Sequence, residues 1–418
     1  MDTILFVIID QMGWADCGQF RSLTRLLGEP RKVTTPYFPT VTETAHASVS
    51  VASPPKTHGI IGGESLVESG GGQLRLVQVD ESVFQSRGYG DGTPFEHNFT
   101  AGDAECFVVA GKRKVAQLLC PEPLRPRTLT RVTFERSSGN RLCWSIQTSR
   151  RDTPILPDCS ISELDDPDSD SLLIRAAATL LDCAAEFAKN RVLLLCLPRL
   201  DAIGHWNDRD SRAIVETLQR LDRELTDFLS LQFEGQECAV VVVGDHGWRP
   251  VDTAIWFSNH QVNCLKRNGE RTQFNLPDGI RTYGREGKPA ILCDGGTVRI
   301  WTQEGQENGV ARWLNDALGE YLTDVRFRPA LEAFLEQHGS AHTNWGQVVG
   351  FAKENAALCK PGWVEHTDGK VCVPVAEHGS DFERDLVVPM WTRNVNASQA
   401  IHTEFGRHVA ELLQSPDQ

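Results

Sequence analysis

Three short and almost continuous apolar stretches stand far apart in the chain: Ile4 to Ile9, Val192 to Leu197 and Cys238 to Val243. Stretches of this length, rich in Val, Ile and Leu, are typical of strands buried on both faces of a parallel sheet. Helical patterns accompany them. Ser171 to Ala188 precedes the second stretch, and Ile214 to Leu229 lies between the second and the third. This alternation of strands and helices predicts an α/β domain.

Two long segments do not follow this alternation. Residues 63–170 are rich in glycine, and their short alternating stretches, Gln73 to Val79 and Thr128 to Arg136, predict small β-hairpins. Residues 251–375 mix strand-like and helical patterns. We therefore predict that both segments are insertions that cap the active site and that the second is a cap-like insertion. The predicted catalytic core is assembled from residues 1–62, 171–250 and 376–418.

The composition is that of an ordinary globular enzyme and narrows the choice of substrate. The chain has 418 residues, of which 40% are hydrophobic and 23% charged, and its formal net charge is -14. It contains no Lys/Arg-rich block, so a long nucleic acid is not expected as a partner. A small anionic substrate stays open, because a buried metal cluster reverses the local charge.

The N-terminal segment and the cysteines suggest a compartment. The chain opens with MDTILFVIIDQ, which lacks the basic region and the cleavage site of a signal peptide. No apolar stretch approaches the roughly 20 residues that cross a membrane. The 12 cysteines form no CxxC pair, so we interpret them mostly as reduced core residues. The sequence thus predicts a cytoplasmic protein without membrane contact.

Metal-binding side chains follow each of the three predicted strands. Asp10 ends the first stretch, Asp201 and His205 come shortly after the second, and Asp245 and His246 follow the third. Open α/β sheets place their ligands at the carboxyl ends of their strands. Each motif alone is common by chance, and the alternative is a set of capping aspartates and surface histidines. The placement of all three behind buried strands favours a metal site.

Thr42 is a candidate nucleophile. The stretch from Glu43 to Ser53 predicts a short helix, which places Thr42 at or just before its N-terminus. Free N–H groups at that end favour a phosphoryl group and an alkoxide. A hydroxyl needs activation by a metal or a base. The simpler alternative is that Thr42 or Thr44 only caps the helix.

These motifs together resemble the alkaline phosphatase superfamily, in its branch of type I phosphodiesterases/nucleotide pyrophosphatases, to which phosphonoacetate hydrolases are close. The resemblance covers ILFVIIDQMGW, PYFPTVTETAHASVSVASPPKTHGIIG, DAIGH, VVVVGDHGW and the late VPVAEHGS. These are the superfamily's motifs, in its order. The resemblance implies a central, mostly parallel sheet flanked by helices, with inserted cap regions.

Carried over to this chain, the resemblance implies two bound divalent metal ions. Zn²⁺ is expected from the imidazole and carboxylate ligands, and Mn²⁺ or Fe stays open. Thr42 would lie between the ions, contact them, form a phosphothreonine and be released by hydrolysis. The implied ligands are Asp201, His205 and His378 for one ion, and Asp10, Asp245 and His246 for the other.

Substrate contacts are less well defined by the sequence. Nucleotide pyrophosphatases carry an Asn after the HGI motif, but here that position falls at Gly62 or Gly63, whose backbone N–H could substitute. Phosphonoacetate hydrolases carry a lysine before a helix that pairs with the substrate carboxylate, and Lys112 matches it. A solvated role for Lys112 is the alternative.

We therefore predict two-metal hydrolysis of a phosphodiester or phosphoanhydride in a small, nucleotide-like substrate. The alternatives are hydrolysis of a phosphonate or a phosphomonoester and, in another class, a binding module without turnover. Trp14, Trp206 and Trp248 lie close in sequence to predicted ligands and offer stacking, or else they pack in the core. The oligomeric state and the pathway are left open.

Overall fold

The computed structural model describes most of the chain. The described residues are 3–35, 38–51, 54–69, 72–79, 104–120, 128–137, 141–149, 155–159, 161–185, 190–233, 237–258, 261–283, 288–364 and 371–395. The strands are β1 (Thr3–Ile9), β2 (Arg31–Thr34), β3 (Glu64–Ser69), β4 (Gln73–Gln78), β5 (Ala104–Lys112), β6 (Thr128–Arg136), β7 (Leu142–Thr148), β8 (Asn190–Leu197), β9 (Cys238–Gly244), β10 (Arg249–Pro250), β11 (Thr253–Ser258), β12 (Gln261–Lys266), β13 (Arg271–Asn275), β14 (Thr282–Tyr283), β15 (Lys288–Pro289), β16 (Ile291–Asp294), β17 (Thr297–Ile300), β18 (Leu322–Phe327), β19 (Val348–Ala352), β20 (Ala356–Cys359), β21 (Ala376–Glu377) and β22 (Val387–Arg393).

The helices lie between these strands. The α-helices are α1 (Arg21–Leu27), α2 (Thr42–Val51), α3 (Pro55–His58), α4 (Arg113–Leu119), α5 (Ser169–Ala185), α6 (Arg199–Gly204), α7 (Arg212–Phe233), α8 (Glu307–Leu318), α9 (Ala330–Gln337), α10 (Pro361–Val364) and α11 (Glu383–Leu386). Two short 3₁₀ helices cover Trp14–Gln19 and Thr343–Trp345. Within the part of the chain that the structure describes, every helix is too short or too polar to span a bilayer.

A mostly parallel sheet of eight strands forms the core, in the order β2-β22-β9-β1-β8-β5-β6-β7. The three apolar stretches of the sequence become its neighbouring strands β9, β1 and β8, paired in parallel. β22 and β7 run antiparallel to the strands beside them. The predicted α/β class is thereby confirmed.

β1 shows why these strands are apolar throughout. All seven of its residues are buried. Leu5, Val7 and Ile9 face one core cluster with the apolar sides of α5 and α7, while Ile4, Phe6 and Ile8 face the other cluster with α2 and α4. Because side chains alternate between the faces of a strand, a sheet covered on both sides needs apolar residues at every position.

The structure of residues 104–149 differs from the sequence-based prediction, in which residues 63–170 form an insertion over the core. β5, β6 and β7 extend the central sheet itself, and β5 pairs in parallel with β8. The predicted hairpins exist: β4 pairs with β3, and β6 pairs with β7. However, the other edge of β6 pairs with β5. Such pairing between distant segments is decided by tertiary packing, which a local pattern does not contain.

Residues 251–375 carry two four-stranded sheets, β13-β12-β11-β20 and β16-β17-β19-β18, together with α8, α9 and α10. We call this segment the cap. Its two ends meet in the short antiparallel pair of β10 and β21, where Pro250 lies opposite Ala376. The cap therefore leaves the core and returns to it at neighbouring points, next to His378.

Candidate metal centre and active site

The carboxyl ends of the central strands bring the predicted ligands together. Asp10 follows β1 directly, and Asp245 and His246 follow β9. We call these three residues the Asp10 group. Nε2 of His246 lies 3.5 Å from Asp10 Oδ1 and 3.5 Å from Asp245 Oδ2. All three side chains are buried, and their donor atoms lie within 4.8 Å of one another.

A second set of donors lies beside the first. Asp201 and His205 belong to α6 and its end, and His378 follows β21; we call these three residues the Asp201 group. Asp201 Oδ1 lies 3.0 Å from His205 Nε2 and 3.7 Å from His378 Nε2. The rings of His246 and His378 stack with centroids 3.9 Å apart, so the two groups adjoin. On this side, the triples of donors whose atoms lie within 4.8 Å of one another are Asp201, His246 and His378, and His205, Glu377 and His378.

Backbone carbonyls orient all three imidazole rings in the same sense. In each ring Nδ1 faces a carbonyl oxygen to which it can donate, so Nε2 points toward the carboxylates and, when unprotonated, is free to bind a cation there. This is the second-shell arrangement usual for histidines that ligate a metal through Nε2. The pairs are His205 with Ala376 at 3.1 Å, His246 with Gly247 at 3.0 Å and His378 with Thr40 at 2.9 Å.

The buried charges of the Asp10 group call for a cation. Burial and the neighbouring carboxylates of Asp201 and Asp245 raise the pKa of Asp10 well above its usual range. Burial likewise raises the pKa of Asp245 to about 7. Asp10 Oδ2 is buried without a hydrogen bond from any described residue. Carboxylates this desolvated are stable in their charged form beside a cation. The donor set therefore fits divalent ions that accept oxygen and nitrogen ligands.

Thr42 lies against the Asp10 group. It is the first residue of α2, and its Oγ1 donates a hydrogen bond to Asp10 Oδ1 at 3.2 Å. The same oxygen lies 3.3 Å from His246 Nε2. The hydroxyl of Thr42 thus points at the metal donors, at the end of a helix whose free N–H groups favour an anion.

A cavity of about 140 Å³ opens at these residues. Thr42, Asp201, His205 and His378 line it from the core. The cap contributes Asp294, Lys360 and Trp363 among others. Its volume suits a small substrate or the reacting part of a larger one.

Two lysines reach this cavity from β5 and α4. Lys112 lies with Nζ 4.0 Å from Asp201 Oδ2, and although burial opposes it, the charge of Asp201 raises the pKa of Lys112. Lys114 donates to Glu43 Oε1 at 2.8 Å and to the Gly63 carbonyl at 3.0 Å. Against the effect of burial, Lys114 lowers the pKa of Glu43 to about 2. Gly63 thus accepts a hydrogen bond from Lys114 through its carbonyl oxygen, whereas the sequence predicted a substrate contact through its N–H group.

The three tryptophans that the sequence offered for stacking, Trp14, Trp206 and Trp248, do not line the cavity beside Thr42. Trp14 and Trp248 line a separate cavity with Lys32 and Arg384. Trp206 is 39% exposed and lies 6.4 Å, between ring centroids, from Trp363. Trp363 of the cap lines the cavity beside Thr42 and meets the His205 ring edge-on, with the ring centroids 4.5 Å apart.

Several residues of the site escaped the sequence analysis. Glu377 Oε1 lies 3.2 Å from His205 Nδ1, and the signal for it was its place directly before His378. Lys114 stands in the same lysine-containing stretch as Lys112. Lys360 and Trp363 belong to the cap, where no motif marked them.

Comparisons with known proteins agree with this picture. The model of the family described as "Type I phosphodiesterase / nucleotide pyrophosphatase" matches residues 4–381. No curated protein matches the chain. Among solved structures, phosphonoacetate hydrolase from Sinorhizobium meliloti 1021 in complex with phosphonoformate is 16% identical, with TM-score 0.61, covering 98% of this chain and 95% of that one.

Two further solved structures have a similar fold. Human ectonucleotide pyrophosphatase/phosphodiesterase 5 is 12% identical, with TM-score 0.64 and coverage of 99% of this chain and 96% of that one. The alkaline phosphatase PafA is 15% identical, with TM-score 0.66 and the same coverage of 99% and 96%. At these identities the likeness shows a shared fold, that of a central sheet flanked by helices. The chain belongs to the type I phosphodiesterase/nucleotide pyrophosphatase family.

Proposed function

We propose that this chain is a metal-dependent hydrolase that attacks phosphorus in a small substrate with the hydroxyl of Thr42. The observation that carries the proposal is the position of Thr42 Oγ1, 3.2 Å from Asp10 Oδ1 and 3.3 Å from His246 Nε2. A capping threonine has no need to face a cluster of buried carboxylates and imidazoles. A nucleophilic threonine does, because a hydroxyl is too weak a nucleophile without activation.

The chain's own residues provide for both halves of the reaction. Asp10 Oδ1 accepts the hydrogen bond that directs the Thr42 hydroxyl. Oγ1 attacks phosphorus, the bond from phosphorus to the leaving group breaks, the leaving group takes up the proton of the hydroxyl, and a phosphothreonine forms; water then attacks phosphorus and breaks its bond to Oγ1, which releases the phosphoryl product and restores the hydroxyl. The N-terminus of α2 faces the anionic phosphoryl group. Two divalent cations, Zn²⁺ or Mn²⁺, would supply positive charge that lowers the hydroxyl pKa and stabilises the attacking and leaving oxygens.

Each of the two donor groups would hold one of the two ions. The Asp10 group would hold the ion beside Thr42, and the Asp201 group would hold the second. Both sets combine carboxylate and imidazole without thiolate, and the orientation of all three Nε2 atoms toward the carboxylates supports this assignment.

A small phosphodiester or phosphoanhydride is the substrate class we propose first. It is the chemistry in the family's description, and a murine relative of similar fold is described in complex with AMP. Trp363, 40% exposed at the cavity, offers a planar apolar surface for a nucleobase or another ring.

One observation favours a second candidate, a phosphonate or a phosphomonoester. Lys112, Lys114 and Lys360 all line the metal cavity. Lysines in such a place bind a second anionic group on a substrate, such as the carboxylate of a phosphonate. A structure of similar fold is described as phosphonoacetate hydrolase in complex with phosphonoacetate.

A substrate panel tests the proposal. Zn²⁺-loaded and Mn²⁺-loaded protein is assayed with bis-p-nitrophenyl phosphate, p-nitrophenyl phosphate and phosphonoacetate. We expect hydrolysis of the diester above the monoester, lost on chelation and in Thr42→Ala, and partly kept in Thr42→Ser, which retains a hydroxyl. Preference for the monoester or phosphonoacetate would select the second candidate. Full activity of Thr42→Ala would overturn the nucleophile, and no activity on any substrate would overturn the proposed function.

A further inference from the structure

The residue after Asp10 has an unusual backbone conformation. Gln11 is fully buried, and its φ is 64°, in the left-handed region. Among the described residues, Asn394 is the other non-glycine residue with a positive φ. A side chain with a Cβ atom disfavours this conformation, so the surroundings must hold it.

Gln11 is bonded directly to the metal donors. Its backbone N–H donates to Asp245 Oδ1 at 3.0 Å, and the N–H of His246 donates to the same oxygen at 2.9 Å. Two donors thus occupy Oδ1 and leave Oδ2 facing His246 Nε2. A change in the φ of Gln11 would move either the Asp10–Gln11 peptide group or the chain that follows. The first of these movements disturbs both aspartates of the Asp10 group.

Arg209 holds Gln11 in place. Its Nη2 donates to the Gln11 carbonyl at 2.8 Å, and its Nη1 donates to Gln11 Oε1 at 3.3 Å. The guanidinium is itself fixed, because Nε donates to Asp16 Oδ1 at 2.9 Å and its carbon lies 4.6 Å from the Trp248 ring centroid. A planar group with five donors suits this task, and a lysine could not make the same contacts.

Arg209 belongs to the segment that carries Asp201 and His205 of the Asp201 group. It lies four residues after His205. Gly204, the residue before His205, makes room for the Gln11 side chain, since a Cβ atom there would lie 1.9 Å from Gln11 Oε1. Gln11 and Arg209 therefore join the loop after β1 to the end of α6. Through them the position of the Asp10 group depends on that of the Asp201 group.

We propose that Arg209 is a positioning residue: by holding Gln11 in its left-handed conformation, it fixes the Asp10 group against the Asp201 group for metal binding. This inference rests on the proposed function, because it requires that the two groups bind metal. Arg209 touches neither ions nor substrate in this role. Its removal should weaken metal binding, since loss of a residue that orients ligands commonly costs about 10- to 100-fold in affinity.

The experiment is a double-mutant cycle read by Zn²⁺ binding to metal-free protein. Dissociation constants are measured by competition with a chelator, and stoichiometry by atomic absorption. We expect Arg209→Ala to bind Zn²⁺ about 10- to 100-fold more weakly. In the Gln11→Gly background, where glycine accepts the positive φ, the same substitution should cost at least about fivefold less. Arg212→Ala, whose side chain is 90% exposed, is the control and should bind as wild type.

Each outcome has a definite meaning. Wild-type affinity in Arg209→Ala would overturn the inference, and so would an equal loss in both backgrounds, which indicates general destabilisation. If Arg209→Ala fails to fold by circular dichroism, Arg209→Lys replaces it in the cycle, with the same two criteria. A wild-type protein that binds no Zn²⁺ or Mn²⁺ would instead overturn the proposed function and, with it, this inference.

Discussion

The Asp10 group and the Asp201 group contain the same kinds of side chain but differ in charge balance. Burial raises the pKa of both aspartates in the Asp10 group. In the Asp201 group, the charge of His205 outweighs burial and lowers the pKa of Asp201 well below its usual range. Likewise, against the effect of burial, Glu377 and Asp201 raise the pKa of His205 to about 9. Before any ion binds, one group is electrostatically strained and the other is partly neutralised by its own members.

This contrast indicates different roles for a cation at the two places. At the Asp10 group a cation relieves a cost of folding, because desolvated carboxylates then keep their charge beside an opposite one. At the Asp201 group a cation must displace a favourable carboxylate–imidazolium pair. We therefore expect the first group to dominate both catalysis and the dependence of stability on metal.

The largest effect should follow the loss of His246. His246→Ala removes a donor of the Asp10 group that also faces Thr42 Oγ1 at 3.3 Å. We expect kcat/KM of the loaded enzyme to fall at least about 1,000-fold, because nucleophile and ion lose their common neighbour. His338→Ala, a histidine of the cap that packs on Phe334, should stay within about twofold and serves as the control. If His246→Ala kept more than about a tenth of the activity, the expectation that the Asp10 group dominates catalysis would be wrong.

A smaller loss is expected at Glu377, which supports the Asp201 group. Glu377→Gln removes the charge 3.2 Å from His205 Nδ1 but keeps the shape of the side chain. Activity and Zn²⁺ affinity should drop by about 10- to 100-fold, since the carboxylate orients the ring and raises its basicity. Glu354→Gln, an exposed glutamate that pairs with Arg384, is a suitable control. A loss as large as that of His246→Ala would remove the distinction between the groups.

Charge removal should change the stability of the chelated protein in opposite directions. At pH 8, Asp10→Asn is expected to raise the free energy of unfolding by about 1–3 kcal/mol, because it removes a desolvated carboxyl group. Asp201→Asn should lower it by a similar amount, because His205 loses its partner. Urea denaturation with excess chelator measures both. Shifts of the same sign would show that the two groups do not differ in charge balance.

The smallest effect per unit of change, about 1 kcal/mol per pH unit, concerns the pH dependence of the stability of the chelated protein. The folded pKa of Asp245, about 7, exceeds its usual 3.8, so stability falls as the pH rises from about 4 to 7. The folded pKa of His205, about 9, exceeds 6.5, so its contribution is complete below 6.5 and is lost as the pH passes 9. The melting temperature should thus fall from pH 6 to pH 9.

Metal-loaded protein supplies the control for this slope. Bound cations keep the aspartates charged, so the contribution of Asp245 and His205 to the slope of melting temperature against pH should vanish. Asp170 is buried outside both groups, and burial raises its pKa to about 7, so it should titrate in loaded and chelated protein alike. The difference between the two melting curves therefore reports on the site. Identical slopes would argue against the pKa values of Asp245 and His205.

The donors of the Asp10 group could be predicted because their position follows from a local rule. Asp10 and Asp245 stand directly after strands whose apolar residues are continuous, and such strands end at one edge of the sheet. His378 follows a strand of two residues, too short for a pattern, and was reached through the resemblance alone. Glu377 and Lys360 matter through contacts with residues far away in the chain, which no periodicity encodes.

The fold shows the same limit. The sequence predicted β1, β8 and β9, whose burial on both faces leaves a mark at every position. β5 has a similar apolar centre, Cys106 to Ala110, but lies among glycine-rich and turn-rich segments that suggested an insertion. Its place beside β8 depends on pairing between segments far apart in the chain, which a local sequence pattern does not contain. Helix α7 began two residues earlier and ended four later than predicted, because its terminal residues are mostly polar or exposed and do not continue the apolar face.

The meeting of Pro250 and Ala376 in the pair of β10 and β21 brings both ends of the cap to one point of the core. A segment of more than a hundred residues thus leaves and re-enters the core at neighbouring points, so a change in its length need not shift the strand ends behind it as long as its own contacts with the core, such as Trp345 on Phe38, are kept. The cap supplies Asp294, Lys360 and Trp363 to the cavity, whereas the core supplies Thr42 and the three residues of the Asp201 group. Substitutions in the cap can thereby change the lining of the cavity while Thr42 and the two donor groups of the core stay in place.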